Sequence, residues 1–231
     1  MKFPQSNVSQ DYLKTIYSEG EWGSPQVSVS TLAARLGVSP STASETVRRL
    51  ASEGLIHHER YGLITLTDRG RQAALQMVRR HRLIETVLVE RLGYSWDEVH
   101  DEAEVLEHAV SDRLVDRIDA FLGHPRRDPH GDPIPDASGH VSVPRAVCLA
   151  EAPPGSRGTV VRISDDEPLV LRLLAESGLH LDAAVSVVEQ REFAGTAVLE
   201  VAGPTADEDG AVQVRTVELG EPVVRAVWIS R

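Results

Sequence analysis

Seven of the chain's thirteen prolines fall between Pro125 and Pro154, in a stretch that also holds Gly131 and Gly139, with Gly155 just beyond it. Proline fixes φ and removes a backbone donor, so no long helix or central strand can run through such a segment. The segment therefore marks a boundary in the chain. Upstream the apolar residues recur at helical spacing, and downstream they alternate in short runs of strand type. The segment itself is predicted to be a linker, ordered or not.

The 231 residues suffice for one large domain or two to three small ones. With 26% charged and 41% hydrophobic residues, wholesale disorder and a collagen-like chain are excluded. No repeat of 20–50 residues and no low-complexity tract is present. No window approaches 18 consecutive apolar residues, so no spanning helix is expected. The start, Met1-Lys2-Phe3-Pro4-Gln5-Ser6, lacks the apolar run of a secretory signal. A lone Cys148 excludes an internal disulfide and a zinc–thiolate cluster. A cytoplasmic protein with no membrane partner is expected.

The net charge of −11 argues against nucleic acid only until its distribution is read. Residues 1–75 hold eight basic against seven acidic side chains, residues 76–150 nine against fourteen, and residues 151–231 seven against fourteen. The N-terminal third alone can approach a phosphate backbone.

That third has a recognisable order. A helix is predicted around Ser9–Ser18, with Tyr12, Leu13, Ile16 and Tyr17 on one face, and a second over Val29–Leu36 with Gly37 past its end. Ser39-Pro40 then supplies an N-cap and a first-turn proline for a third helix ending near Gly54. Two short runs, 55–60 and 63–67, flank Tyr61-Gly62 as a β-hairpin. Helix, tight turn, helix and hairpin make a winged helix-turn-helix. In that motif the second helix of the pair enters the major groove by its N-terminal end. Ser39, Ser41, Thr42, Ser44 and Glu45 are the base-facing candidates, and Arg48, Arg49 and Arg60 of the wing are the phosphate-facing ones.

The middle third carries the chemistry. Thr67-Asp68 opens a long helix to about Leu92, Ser95-Trp96-Asp97-Glu98 is a capping box for the next, and a further helix runs to Phe121-Leu122-Gly123. His81 and Glu85 share one helical face, as do His100, Glu104, Glu107 and His108, while Asp128 and His130 follow the helices. Asp11 can join them from the first helix. Carboxylates stacked at this spacing repel unless a cation offsets them. Imidazoles and carboxylates without sulfur favour a hard-to-borderline divalent ion, Mn(II) or Fe(II), over tight structural zinc.

These residues also carry a family resemblance. The runs Asp11-Tyr12-Leu13-Lys14-Thr15-Ile16-Tyr17, Ser39 to Val47, Arg80-His81-Arg82-Leu83-Ile84-Glu85, Glu98 to His108 and Pro129-His130-Gly131-Asp132-Pro133-Ile134-Pro135 resemble the diphtheria toxin repressor family, in its manganese-responsive, three-domain form. The resemblance implies a primary metal site of Asp11, Glu104, Glu107 and His108. It implies an ancillary site of His81, Glu85 and His100, completed by Asp128 and His130, and so two metal sites per subunit. The iron-responsive branch has methionine at the position of Asp11 and cysteine at that of Glu104, so the oxygen donors here shift preference toward Mn(II). Small two-domain manganese repressors carry a second acid where this chain has Lys14, which speaks against a binuclear site of their kind.

The implied architecture is mainly α with β: a winged helix-turn-helix over 1–75, a helical metal-binding and dimerisation domain over 76–140, and a small SH3-like β-barrel over 150–231. Strand runs at 158–163, 183–190, 196–201, 211–216 and 222–229, with a short helix at 169–175, fit the barrel. Asp165 and Asp166 read more simply as turn acids than as ligands. The implied function is a manganese-dependent repressor, not an enzyme. It would bind palindromic operators of metal-transport genes as a homodimer, with double-stranded DNA as partner and Val87, Leu88, Leu92, Leu106, Leu114 and Ile118 at the subunit interface. Its alternatives are an iron(II)-dependent repressor, a metal-dependent hydrolase using the same donors, and a winged-helix sensor of an organic ligand.

Overall fold

Serine caps set the start of each of the first three helices. Ser6 accepts from the Ser9 amide at the head of α1 (Asn7–Glu21), Ser28 from Thr31 at α2 (Val29–Arg35), and Ser39 from Thr42 at α3 (Pro40–Ser52). Gly37 ends α2 at φ +62°, the left-handed conformation its position predicts. The computed structural model describes residues 6–22, 27–58, 62–206 and 212–231. The turn of the hairpin, and Arg60 with it, lies outside them. Strands β1 (Ile56–His58) and β2 (Ile64–Leu66) pair antiparallel, His57 opposite Thr65.

The following helices are α4 (Asp68–Leu92), α5 (Val99–Leu106) and α6 (Asp112–Phe121). Glu98 accepts from the Ser95 amide at 3.0 Å, the return bond of the capping box that opens α5. A six-stranded antiparallel sheet in the order β3-β8-β4-β5-β6-β7 follows, from β3 (Ala146–Cys148), β4 (Arg157–Ile163), β5 (Ala184–Arg191), β6 (Thr196–Ala206), β7 (Val212–Gly220) and β8 (Val227–Ser230). Helix α7 (Pro168–Glu176) and the short α8 (Glu221–Val224) complete it. Two expectations are corrected here. Pro222, expected to begin a strand, lies in the first turn of α8 instead, a position that suits proline, and the strand begins only at Val227. Strand β3 was not expected, being three residues long with no room for alternation to show.

The chain divides into two units. The first comprises residues 1–81, 105–116 and 135–141, and the second residues 82–104, 117–134 and 142–231. In the first, Leu13, Leu32, Val47, Leu50 and Ile64 form a core with Ala74 and Val78 from the start of α4. In the second, Val160, Leu171, Leu174, Leu199 and Ile229 form the core of the β domain, and Trp96 packs against it.

Within the proline-rich segment, residues 128 and 130–135 are buried. Asp128 accepts from the backbone amides of His130 and Asp132, closing a tight turn, and Arg82 of α4 donates to the Pro133 carbonyl at 2.7 Å. The Ile163 amide of β4 donates to the His130 carbonyl at 2.8 Å. Gly131 makes this approach possible: at φ +95°, a Cβ there would lie 2.1 Å from the Val161 carbonyl oxygen. We expect Gly131→Ala to cost about 2–4 kcal/mol of stability. Urea unfolding of the two proteins, in chelator, checks this; a change below 1 kcal/mol would mean that the turn yields without strain.

Candidate metal centres and nucleic-acid interface

Two groups of donors form, one in each unit. In the first, Asp11 lies on α1 one turn from Lys14, while Glu107 and His108 follow directly on α5. His108 Nε2 is 2.8 Å from Asp11 Oδ1 and 3.6 Å from Glu107 Oε1. His108 Nδ1 lies 3.1 Å from Gln10 Oε1, an acceptor, so this nitrogen carries the hydrogen. Nε2 then faces Asp11 with a lone pair, and two electron-rich atoms at that distance must share a proton or a cation. The donor set thus fits a divalent ion.

Glu107 is the most enclosed of the three, with no solvent exposure. His81 Nδ1 lies 2.6 Å from its Oε2, and Lys14 Nζ donates to both oxygens, at 2.7 and 2.9 Å. Burial by itself would raise the Glu107 carboxyl, but the hydrogen bond and charge of His81, with Lys14 beside it, outweigh burial and hold it below the usual carboxylate range. The Arg80 guanidinium adds a bond to the Glu107 carbonyl and pairs with Asp112. His81, grouped by spacing with Glu85, is thus found on Glu107.

In the second unit Glu85 is the centre. Glu85, Asp128 and His130 are all buried and place one donor atom each within 4.8 Å of one another. His130 Nε2 is 2.6 Å from the Trp96 carbonyl and so bears the hydrogen, which leaves Nδ1 buried, without a hydrogen-bond partner, 3.9 Å from Glu85 Oε2. Such an orphaned lone pair between two carboxylates suits a cation. Burial, then the charges of Asp132 and Glu85, push the Asp128 carboxyl up to about 8. On the other side of Glu85, His100 Nδ1 lies 3.4 Å from Glu85 Oε1 and 3.0 Å from Asp165 Oδ2, and His100 Nε2 lies 3.6 Å from Glu104 Oε1. Burial would lower the His100 imidazole, yet Asp165 and Glu85 outweigh it and push it up to about 11. Asp165 thus joins the predicted donors, whereas Asp166 is held by the Ser164 hydroxyl at 2.8 Å. Glu104 belongs to the second unit, where its Oε1 faces His100.

On α3, Ser39 is engaged in capping, and its hydroxyl also meets those of Ser41 and Thr42 at 2.8 and 2.9 Å. Ser41, Thr42, Glu45 and Arg48 are exposed along the outer face and Ser44 is half-buried. Arg49 is exposed yet donates to Ser9 Oγ on α1 at 3.2 Å, so it also clamps the two helices together. Of the apolar side chains expected between subunits, Leu88 is buried within its own unit, Val87, Leu106 and Ile118 are half-buried, and Leu92 and Leu114 are exposed, as are Val105 and Phe121. Among the described residues no helix is long and apolar enough to cross a membrane.

Comparison with known proteins identifies the family of the chain. Residues 6–63 match the family described as the iron dependent repressor N-terminal DNA binding domain, residues 67–136 its metal binding and dimerisation domain, and residues 147–229 the FeoA domain. The iron-dependent repressor IdeR of Mycobacterium leprae is 34% identical over 212 residues, covering 85% of this chain and 90% of that protein. The diphtheria toxin repressor of Corynebacterium diphtheriae is 36% identical over 129 residues, 56% of this chain and 57% of that one. A solved manganese-dependent transcriptional repressor in complex with manganese is 55% identical, with a TM-score of 0.89, over 96% of this chain and 99% of that one. The relatives named here are repressors rather than enzymes, and this chain belongs to the iron-dependent, diphtheria toxin repressor family of metal-dependent transcriptional repressors.

Proposed function

We propose that the protein is a manganese-responsive repressor, in which Mn(II) held by Asp11, Glu107 and His108 secures α1 and thereby the operator-binding form of the winged helix. The observation that carries this reading is the 2.8 Å approach of His108 Nε2 to Asp11 Oδ1, which joins α1 to the chain leaving α5. Asp11 directly precedes the buried Tyr12 and Leu13, whose side chains enter the same core as Val47 and Leu50 of α3. An ion that pins Asp11 therefore pins the base of the recognition helix. Without it, Asp11 and Glu107 repel, and operator affinity falls by a coupling energy of about 1–3 kcal/mol.

Manganese is favoured because the donors are oxygen and imidazole nitrogen alone. The similarity to a repressor solved with manganese supports the same choice. Iron(II) is the competing reading, since a relative over most of the chain is named as iron-dependent. A second ion is held by Glu85, His100 and Asp165, with Asp128 and His130 on the far side of Glu85. The protein acts as a homodimer on a palindromic operator, with exposed Leu92 and Phe121 among the contacts between subunits. Ser41, Thr42, Glu45 and Arg48 face the bases and backbone.

Binding to DNA fragments upstream of metal-transport genes, at fixed salt, tests the reading. Mn(II) should tighten binding at least about tenfold over chelator, and anaerobic Fe(II) should do so less well; equal response to both would leave the selectivity argument without force. Asp11→Ala should bind DNA in Mn(II) no better than wild type in chelator, and a normal metal response would sink the proposed linkage. Asp165→Ala should weaken the second metal-binding step by at least the roughly 10–100-fold typical of lost outer-shell partners. Titration calorimetry with Mn(II) reads this directly.

A further inference from the structure

The proposed manganese site already contains a positive charge of the protein's own. Lys14 lies on α1, three residues and so nearly one turn after Asp11, and its side chain is only 12% exposed. Its ammonium donates to both oxygens of Glu107, 93 residues away in the chain. A carboxylate with no access to water carries a large desolvation cost unless opposite charge and hydrogen bonds offset it. Lys14 supplies that offset from α1, the same helix that brings Asp11. Metal and ammonium therefore address one carboxylate from one helix.

We propose that Lys14 is a resident counter-cation that sets the metal threshold of this site. In the metal-free chain it neutralises the buried Glu107, while no divalent ion at Asp11 secures α1. Once a divalent ion binds Asp11, Glu107 and His108, the ammonium and the ion share the Glu107 carboxylate and repel one another. The site is thus preformed and weakened by the same side chain. A protein that should answer only when an abundant, weakly bound ion accumulates gains from both effects: it stays folded at low metal, and it ignores traces. The inference rests on the reading of Asp11, Glu107 and His108 as metal ligands.

The test compares full-length wild type with Lys14→Met and Lys14→Arg, all in a His100→Ala background that silences the second donor set. Metal-free thermal unfolding in chelator is followed by Mn(II) titration calorimetry. Lys14→Met should lose several degrees of metal-free Tm, which needs no metal to be read, and should bind Mn(II) at least about tenfold more tightly, equivalent to 1.4 kcal/mol. Lys14→Arg, which keeps the charge, should recover most of the metal-free stability and the weak binding. Equal or weaker Mn(II) binding by Lys14→Met overturns the proposal, as does an unchanged metal-free Tm. Should Lys14→Met fold too poorly to titrate, Lys14→Arg decides: wild-type affinity supports a role for charge, and tightening tenfold overturns it. A His108→Ala variant in the same background separates the two layers. If it binds Mn(II) as wild type does, the site assignment itself is wrong; if it loses binding while Lys14→Met is neutral, the site stands and the counter-cation fails.

Discussion

A carboxylate that has been taken out of water has to find its charge partners inside the protein, and Glu107 is that carboxylate here. Removing such an ion from solvent costs several kcal/mol, which only close, well-directed partners can offset. The chain brings them from two places: Lys14 from the first helix and His81 from the fourth. The position of α1 is thus tied to a local electrostatic requirement as well as to its apolar face. A ligand-responsive protein is well served by this arrangement, because whatever changes the charge beside Glu107 changes the reason for α1 to be where it is.

The second unit solves a similar problem with more participants. Arg82 lies 3.6 Å from Asp128 and 3.7 Å from Asp132, and Arg162 donates to Asp132 at 2.9 Å while covering the Trp228 ring. These pairs neutralise one side of the acidic group. Glu85, Asp128 and His130 are left on the other, with the His130 lone pair unmatched. Arginine is suited to the first task, since its planar fork can meet a carbonyl and two carboxylates at once. The division leaves Glu85, Asp128 and His130 converging apart from the arginines.

How far the sequence alone reached depended on whether the needed contacts were local. The long helix from Asp68 to Leu92 was legible because its apolar period and its boundary signals agree. His81 and Glu107 are legible as donor types at helical spacing, and Asp11 as an acid that can join them from the first helix. The partner of Glu107 was not, because the i, i+3 relation of Asp11 to Lys14 says nothing about a residue 93 positions away. Asp165 was passed over as a turn acid since nothing in its neighbourhood has a period. Only the return of β4 against the His130 carbonyl brings it to His100. Pro222 misled for the opposite reason: apolar alternation around it resembled a strand, while its missing amide fits the first turn of α8. The ordering of the proline-rich segment also depended on distant groups, Arg82 and Ile163, rather than on its own composition.

The bond from Ile163 to His130 has a bearing on how such a protein can change over time. Small β domains joined by flexible tethers are readily lost, duplicated or exchanged between genes, because nothing else depends on their presence. Here the same strand end that receives the Pro-His-Gly turn delivers Asp165, two residues on, to the imidazole of His100. The β domain is therefore a supplier of chemistry to the helices, and its removal would expose a histidine and a buried glutamate that had adapted to its company. A lineage that shed this domain would leave His100 without the acid at 3.0 Å unless the helical part supplied another.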